Sequence, residues 1–371
     1  MLAALIVIGA VAALALATTL VLRYYPAFGG KPGEGARSRM LRSPHYENGK
    51  FVNLVPTSVK MSLRENLTAL GDLIRGRPGG RPDGSLATEP LSPLSLQRSD
   101  AGRAQAKVTW FGHSALLLEL DGKRLLLDPM LGRSPSPFPR IGGKRYSDKL
   151  PIEIEDLPPI DAVLLSHDHY DHLDYGSIKR LKDKVGRFFV PLGVSAHLER
   201  WGVAPERIEE CDWWDEIAWE GFTLACTPAR HFSGRGLTNR NGTLWCSWVI
   251  VGAAARIYFS GDSGYGPHFR QIGDKYGAFD LTLMECGQYD KRWAAIHMLP
   301  EETVQAHLDV RGKLMIPIHW AAFTLALHDW RDPVERAAKA AGERRTKIAT
   351  PRIGEPVLIG GATYPSAAWW R

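Results

Sequence analysis

Four side chains able to bind a transition metal fall within six residues of this 371-residue chain: His167, His169, Asp171 and His172. They follow an apolar run, residues 161–165, that reads as a short buried strand, so they occupy the loop beyond its carboxyl end, where side chains can converge on one point. His167 and His169 are two apart and can reach one ion, while Asp171 and His172 turn toward a second position. Neutral imidazole is a borderline-soft ligand and carboxylate a hard one, a mixture that fits zinc first and manganese or iron second. A merely histidine-rich polar loop is the alternative, but it gives no reason for four ligand types directly behind a buried strand.

The H-x-H-x-D-H pattern resembles that of the metallo-β-lactamase superfamily. The resemblance implies further ligands downstream in order, and candidates stand beyond strand-like runs: His231 after Thr227-Pro228-Ala229-Arg230, Asp262 after Tyr258-Phe259-Ser260-Gly261, and His319 after Ile316-Pro317-Ile318. Alone, each would pass as an ordinary surface, core or turn residue. The resemblance implies that His167, His169 and His231 hold one Zn2+ (or another divalent metal), that Asp171, His172 and His319 hold a second, and that Asp262 bridges the two beside a metal-bound hydroxide. Two such ions lower the pKa of water between them and neutralise phosphodiester oxygens. No serine or cysteine nucleophile is then required, and Ser114 and Cys286 read as structural or pocket residues. Asp128 and Asp168 are expected just outside the ligands, each able to orient a ligand histidine through its other ring nitrogen. His297, by the resemblance, lies near the substrate phosphate as a contact or proton donor, with an ordinary surface histidine as the alternative. His113 is expected to be structural, beneath a sheet edge, and His197, His268, His307 and His328 have no motif around them.

The elements that must position these groups are legible in part. Residues 108–120 and 124–127 flank Asp121-Gly122, a strong hairpin signal. Residues 175–184 and 195–201 read as helices, and 187–190, 244–251 and 256–260 as strands. A hairpin followed by a Gly or Asp loop thus occurs twice. This weak duplication suits the α/β architecture that the resemblance implies, a metallo-β-lactamase-like four-layer αβ/βα sandwich over residues 107–371.

Ahead of it, residues 2–22 form an uncharged run long enough to cross a bilayer, so residues 1–22 are expected to be a transmembrane anchor. A cleaved signal peptide is the rival, because Ala15-Leu16-Ala17 has the small-residue pattern of a cleavage site, though no basic start precedes the run. Residues 23–106 read as a basic juxtamembrane segment, an amphipathic helix over 61–74 with Leu63, Leu67, Leu70, Leu73 and Ile74 at helical spacing, and a Gly/Pro-rich flexible loop over 76–105. Arg23, Lys31, Arg37, Arg39, Arg42 and Lys50 follow the apolar run, which places the catalytic domain in the cytoplasm for a single-pass anchor. A periplasmic or secreted domain is the alternative after signal cleavage.

The net charge of +6 is unevenly placed: residues 1–107 hold 14 Lys+Arg against 7 Asp+Glu, leaving 32 against 33 for the remainder. A nearly neutral catalytic region argues against a nucleic-acid partner, and the surplus after the apolar run suits anionic lipid headgroups, with a solvated tail as the alternative. Cys211, Cys226, Cys246 and Cys286 lack C-x-x-C spacing, and a Cys226–Cys246 disulfide stays open.

Within the superfamily, several stretches resemble the N-acylphosphatidylethanolamine-hydrolysing phospholipase D family: His45 to Asn53, Thr109-Trp110-Phe111-Gly112-His113-Ser114, Leu157-Pro158-Pro159-Ile160-Asp161, Phe189-Val190-Pro191-Leu192-Gly193, Asp212-Trp213-Trp214, Gly261-Asp262-Ser263-Gly264-Tyr265, Arg292-Trp293, Pro300-Glu301-Glu302 and Ile318-His319-Trp320. The resemblance implies a membrane-associated zinc phosphodiesterase that splits a phospholipid substrate into phosphatidic acid and an N-acylethanolamine or alcohol. Asp168, Ile296 and Glu285-Cys286 depart from the family's pattern near the pocket, so the chemistry transfers better than the lipid preference. A lactonase or nuclease on the same scaffold is the alternative, since one fold hosts many reactions.

Overall fold

The computed structural model describes residues 1–58, 62–96, 106–236 and 238–371. Helix α1 (Leu2–Tyr24) has a mean hydropathy of 2.7 and buries none of its residues against the rest of the described chain. At about 1.5 Å per residue it is long enough for the roughly 30 Å of a hydrocarbon core. It is a membrane anchor or a signal sequence. A short helix, α2 (Glu34–Met40), leads to the hairpin of β1 (Tyr46–Glu47) and β2 (Lys50–Phe51). Its turn, Asn48-Gly49, takes positive φ at both residues, as this tightest hairpin requires. The buried Phe51 then anchors the hairpin, its N–H donating to Asn241 O at 2.9 Å. Helix α3 (Leu63–Arg75) starts at a capping box between Ser62 and Glu65. Leu67 is exposed on it, and the packing expected of Leu63, Leu70, Leu73 and Ile74 lies outside the described residues.

The body is built from two seven-stranded sheets. The first half runs β3 (Lys107–Trp110), β4 (Leu116–Leu120), β5 (Lys123–Leu127), β6 (Ile160–Leu164), α4 (Tyr175–Leu181), β7 (Val185–Pro191), α5 (Ser195–Arg200) and β8 (Ile208–Cys211). The second runs β9 (Glu216–Trp219), β10 (Phe222–Thr227), β11 (Ser247–Val251), β12 (Arg256–Phe259), α6 (His268–Tyr276), β13 (Leu281–Glu285), α7 (Pro300–Asp309), β14 (Leu314–Ile318), α8 (Asp332–Glu343) and β15 (Lys347–Ile348). A last strand, β16 (Pro356–Leu358), returns to pair with β3. In each half, antiparallel strands lead into parallel ones: β3 to β5, then β5 to β8; β9 to β12, then β12 to β15.

Strand periodicity explains the layering. On β4, Leu116, Leu118 and Leu120 point into the core between the sheets with Trp248, Ile250 and Phe259, while Leu117 faces outward with Ile178 of α4 and Leu198 of α5. On the second sheet, Val249 and Tyr258 face outward with Phe269 of α6 and Val304 of α7. Strands buried on both faces must read as unbroken apolar runs, which is how these read. The result is the metallo-β-lactamase fold, helices outside two packed sheets.

Two expectations need correction. The run 108–120 is two strands, because Gly112 (φ 86°) and His113 (φ 55°) turn the chain between them. Residues 76–96 are not a free linker: Leu86 N–H donates to Tyr146 O, Glu89 N–H to Ile353 O and Leu91 N–H to Pro151 O, and Leu91 and Leu96 are buried. Polar composition concealed a segment held through its backbone. Residues 97–105 lie outside the described residues. All four cysteines are free and buried.

Candidate metal centre

Strands β6, β10, β12 and β14 each release a loop at the carboxyl end, and these loops carry His167 to His172, His231, Asp262 and His319. β10, β12 and β14 are alternate strands of the second sheet and β6 belongs to the first, so the loops meet at one end of the two packed sheets. His319 takes φ 67° directly after β14, a backbone state uncommon for a non-glycine residue and one that functional sites often hold.

Two groups of donors result. His167 Nε2 lies 2.9 Å from His169 Nδ1, which lies 3.2 Å from His231 Nε2. On the other side, His172 Nε2 and His319 Nε2 each lie 3.3 Å from Asp171 Oδ2 and 3.1 Å from Asp262 Oδ2. That Asp262 oxygen also stands 3.9 Å from His167 Nε2 and 3.8 Å from His231 Nε2, placing it between the groups. His172 Nε2 and Asp262 Oδ1 are buried without a hydrogen-bond partner among the described residues. Buried polar atoms are rarely left so, and imidazole nitrogens that converge on one point are suited to share a cation. The donor set fits two divalent transition ions.

Contacts behind the donors fix their tautomers. His231 Nδ1 donates to Ile296 O at 3.0 Å and His319 Nδ1 to Gly287 O at 3.3 Å; a carbonyl only accepts, so in each ring Nδ1 carries a proton and Nε2 is the nitrogen left to face a metal. His172 Nδ1 lies 2.6 Å from Asp128 Oδ2, and Asp128, fully buried, also accepts from Ser166 N at 2.7 Å and Ser166 Oγ at 2.5 Å. Ser166 Oγ in turn meets His167 Nδ1 at 2.9 Å. Burial first, then His172 and His169, holds His167 well below the ordinary histidine pKa, and burial does the same for His231. Burial opposes charge on Asp262, yet His172 and His319 keep it ionised, and the carboxylates in turn hold His172 and His319 well above the ordinary value. A metal must therefore displace protons there.

The other expected residues are placed as follows. His297 is no surface residue: it is 9% exposed, its ring centroid is 5.1 Å from those of His231 and His319, and its Nδ1 is 3.4 Å from Glu285 Oε2. Glu285 is fully buried and accepts from Met298 N at 2.8 Å. Asp168 departs from the expectation, because its carboxylate contacts no metal-facing imidazole. It accepts from Gly234 N at 2.7 Å and from His197 Nε2 at 3.2 Å, tying two loops together.

Four residues were missed. His113 is not beneath a sheet edge but inside the centre, its Nε2 2.8 Å from Asp171 Oδ2 and its ring 4.3 Å from that of His319. Burial, then His319, pushes its pKa down to about 3, so it stays neutral. Its signal was available in Gly112-His113, a turn interrupting an apolar run. His197 accepts from Gly30 N at 3.0 Å through Nδ1, which leaves the Nε2 proton for Asp168. Arg235, 2% exposed, donates to Asp168 O (2.6 Å) and Leu173 O (2.7 Å) at either end of the metal loop, and to Ala27 O (2.8 Å) just after α1. Asn53 from the hairpin segment pairs with the His231 backbone in both directions, at 2.8 and 3.1 Å. The N-terminal segment is thus built into the site's support.

Residues 123–320 match the beta-lactamase superfamily domain. An uncharacterized protein of Mycobacterium tuberculosis is 43% identical over 369 residues, covering 97% of this chain and 96% of its own length. The N-acyl-phosphatidylethanolamine-hydrolyzing phospholipase D 1 of Caenorhabditis elegans is 34% identical over 264 residues, 67% of this chain and 74% of that protein. Among solved structures, Igni18, a metallo hydrolase from Ignicoccus hospitalis, shares the fold with a TM-score of 0.52 at 22% identity, covering 69% of this chain and 99% of that one. The chain belongs to the metallo-β-lactamase superfamily, as a metal-dependent hydrolase with distant homologues among the phospholipases D that hydrolyse N-acylphosphatidylethanolamine.

Proposed function

We propose that this chain is a membrane-associated dinuclear zinc phosphodiesterase of phospholipase D type, which hydrolyses N-acylphosphatidylethanolamine or a related phospholipid to phosphatidic acid and the N-acylethanolamine or alcohol. The observation that carries the reading is the Asp262 oxygen set between two donor groups, in a chain homologous to such a phospholipase. His167, His169 and His231 hold one ion and Asp171, His172 and His319 the other, with Asp262 shared. Bound there, two zinc ions supply Lewis acidity and a nucleophilic water at neutral pH. His297 is held by Glu285 and gives a hydrogen bond to a phosphate oxygen or a proton to the leaving oxygen. The apolar α1 stays uncleaved, with the hydrolase domain, residues 107–371, on the cytoplasmic side, as the basic residues after it favour.

Hydrolysis in oxygen-18 water tests the chemistry. Attack on phosphorus puts the label in phosphatidic acid and leaves the released alcohol unlabelled. Label in a fatty acid or an opened lactone shows attack at carbonyl carbon and overturns the reading.

A further inference from the structure

Where α1 meets the body, a cleft of about 650 Å³ opens between the helix end, residues 28–32, α5 and residues 238–243. Arg23, Lys31 and Arg200 line it, and no acidic residue does so among the described residues. The Arg200 guanidinium donates to Arg23 O and Tyr24 O, the last carbonyls of α1, and to Gly29 O. That uses three of its five N–H donors. Among the described residues neither Arg23 nor Lys31 has a carboxylate partner, and like charges gathered around one concavity repel one another. Leu22 and Phe28 add an apolar wall, and Tyr25, Phe28 and Phe138 stack into an aromatic cluster beside it, with ring centroids 5.1 to 6.2 Å apart.

We propose that this cleft is a binding site for an anionic phospholipid, separate from the metal centre. With α1 across the bilayer, the helix end and the aromatic cluster sit at headgroup depth, where Tyr and Trp gather in membrane proteins. The phosphate of a lipid then meets Arg23 and Lys31, and its acyl chains lie along the exposed apolar side of α1. Occupancy offsets the mutual repulsion of the cations and holds residues 23–31 against the body. Those residues include Ala27 and Gly30, whose backbones Arg235 and His197 connect to the metal loop, so a lipid in the cleft steadies the support of the centre. The inference rests on the membrane reading of α1 made above.

The test uses the full-length chain in a mild detergent, titrated with short-chain phosphatidylglycerol, short-chain phosphatidylcholine or inorganic phosphate while thermal unfolding is followed. Phosphatidylglycerol should raise the melting temperature, and the Arg23→Gln/Lys31→Gln double variant should bind it about thirtyfold more weakly, from about fivefold per cation near a lipid surface. An equal effect of phosphatidylcholine would reduce the site to apolar partition, and an equal effect of inorganic phosphate would make it a free-phosphate site; either result overturns the proposal. Repeating the titration with the Asp262→Ala chain separates the two readings. A response that vanishes there places the lipid at the metal centre and ends this proposal alone, a response that persists supports it, and an unsubstituted chain that binds the lipid but cleaves no phosphodiester ends the proposed reaction alone.

Discussion

Asp128 offers the sharpest test of how the centre is supported. Its carboxylate, wholly buried, takes three donors at 2.5 to 2.7 Å: Ser166 N, Ser166 Oγ and His172 Nδ1. Replacing it with Asn keeps the volume and one acceptor oxygen, but turns an NH2 donor toward either Ser166 or His172. The imidazole then loses the negative charge that raises its basicity and fixes its orientation. Such partners of metal-binding histidines are worth about 10- to 100-fold in metal affinity, or about 1.4 to 2.7 kcal/mol. The effect should be unequal. His172 touches Asp128 directly, whereas His167 feels it only through Ser166. Competition between the Asp128→Asn protein and a graded chelator should therefore weaken one of two zinc ions within that range and the other by much less, with circular dichroism establishing that the variant is folded. A folded Asp128→Asn protein that holds both ions with native affinity would refute the reasoning.

Asp262→Ala removes the one oxygen shared between the donor groups, and elemental analysis should show less than two ions per chain with turnover abolished; full activity would show that the oxygen has no such part. Arg235→Met leaves the carbonyls of Ala27, Asp168 and Leu173 without their buried donor, which at about 1 to 3 kcal/mol for an unsatisfied buried group should lower the melting temperature by several degrees and loosen zinc; an unchanged melting curve would remove it from the support of the centre. The metal-free protein should also lose stability as pH rises above about 7.5. His172 and His319 have folded pKa values raised above the unfolded one, so their contribution is complete below the ordinary value of about 6.5 and disappears as pH climbs through the folded values. Histidines held low, such as His167 and His231, have the opposite slope near 6.5, where the unfolded chain still sheds their protons, and are neutral in both states only above about 7.5. Melting temperatures against pH, with and without zinc, decide this, and a metal-free curve that rises over that upper range would contradict it.

Which residues leave a strand end with metal-binding chemistry can be read along the chain. An apolar run followed by His167-Asp168-His169, and later runs followed by His231, Asp262 and His319, can be read locally because burial on both faces demands continuous apolar strands and ends them abruptly. The paired hairpins were legible for the same reason. Which loops meet was decided only by the tertiary structure. Asp168 carries the same label in sequence as Asp128, a carboxylate near the motif, yet one pairs with His197 and the other with His172. His113 reaches Asp171 across 58 positions and Arg235 reaches Ala27 across 208. Residues 76–96 looked like part of a linker because their attachment runs through backbone groups, which every residue type carries alike. Spacing along a chain reports the direction of a side chain from its own strand, while the partner it finds depends on sheet order and loop path, and these are settled by long-range packing.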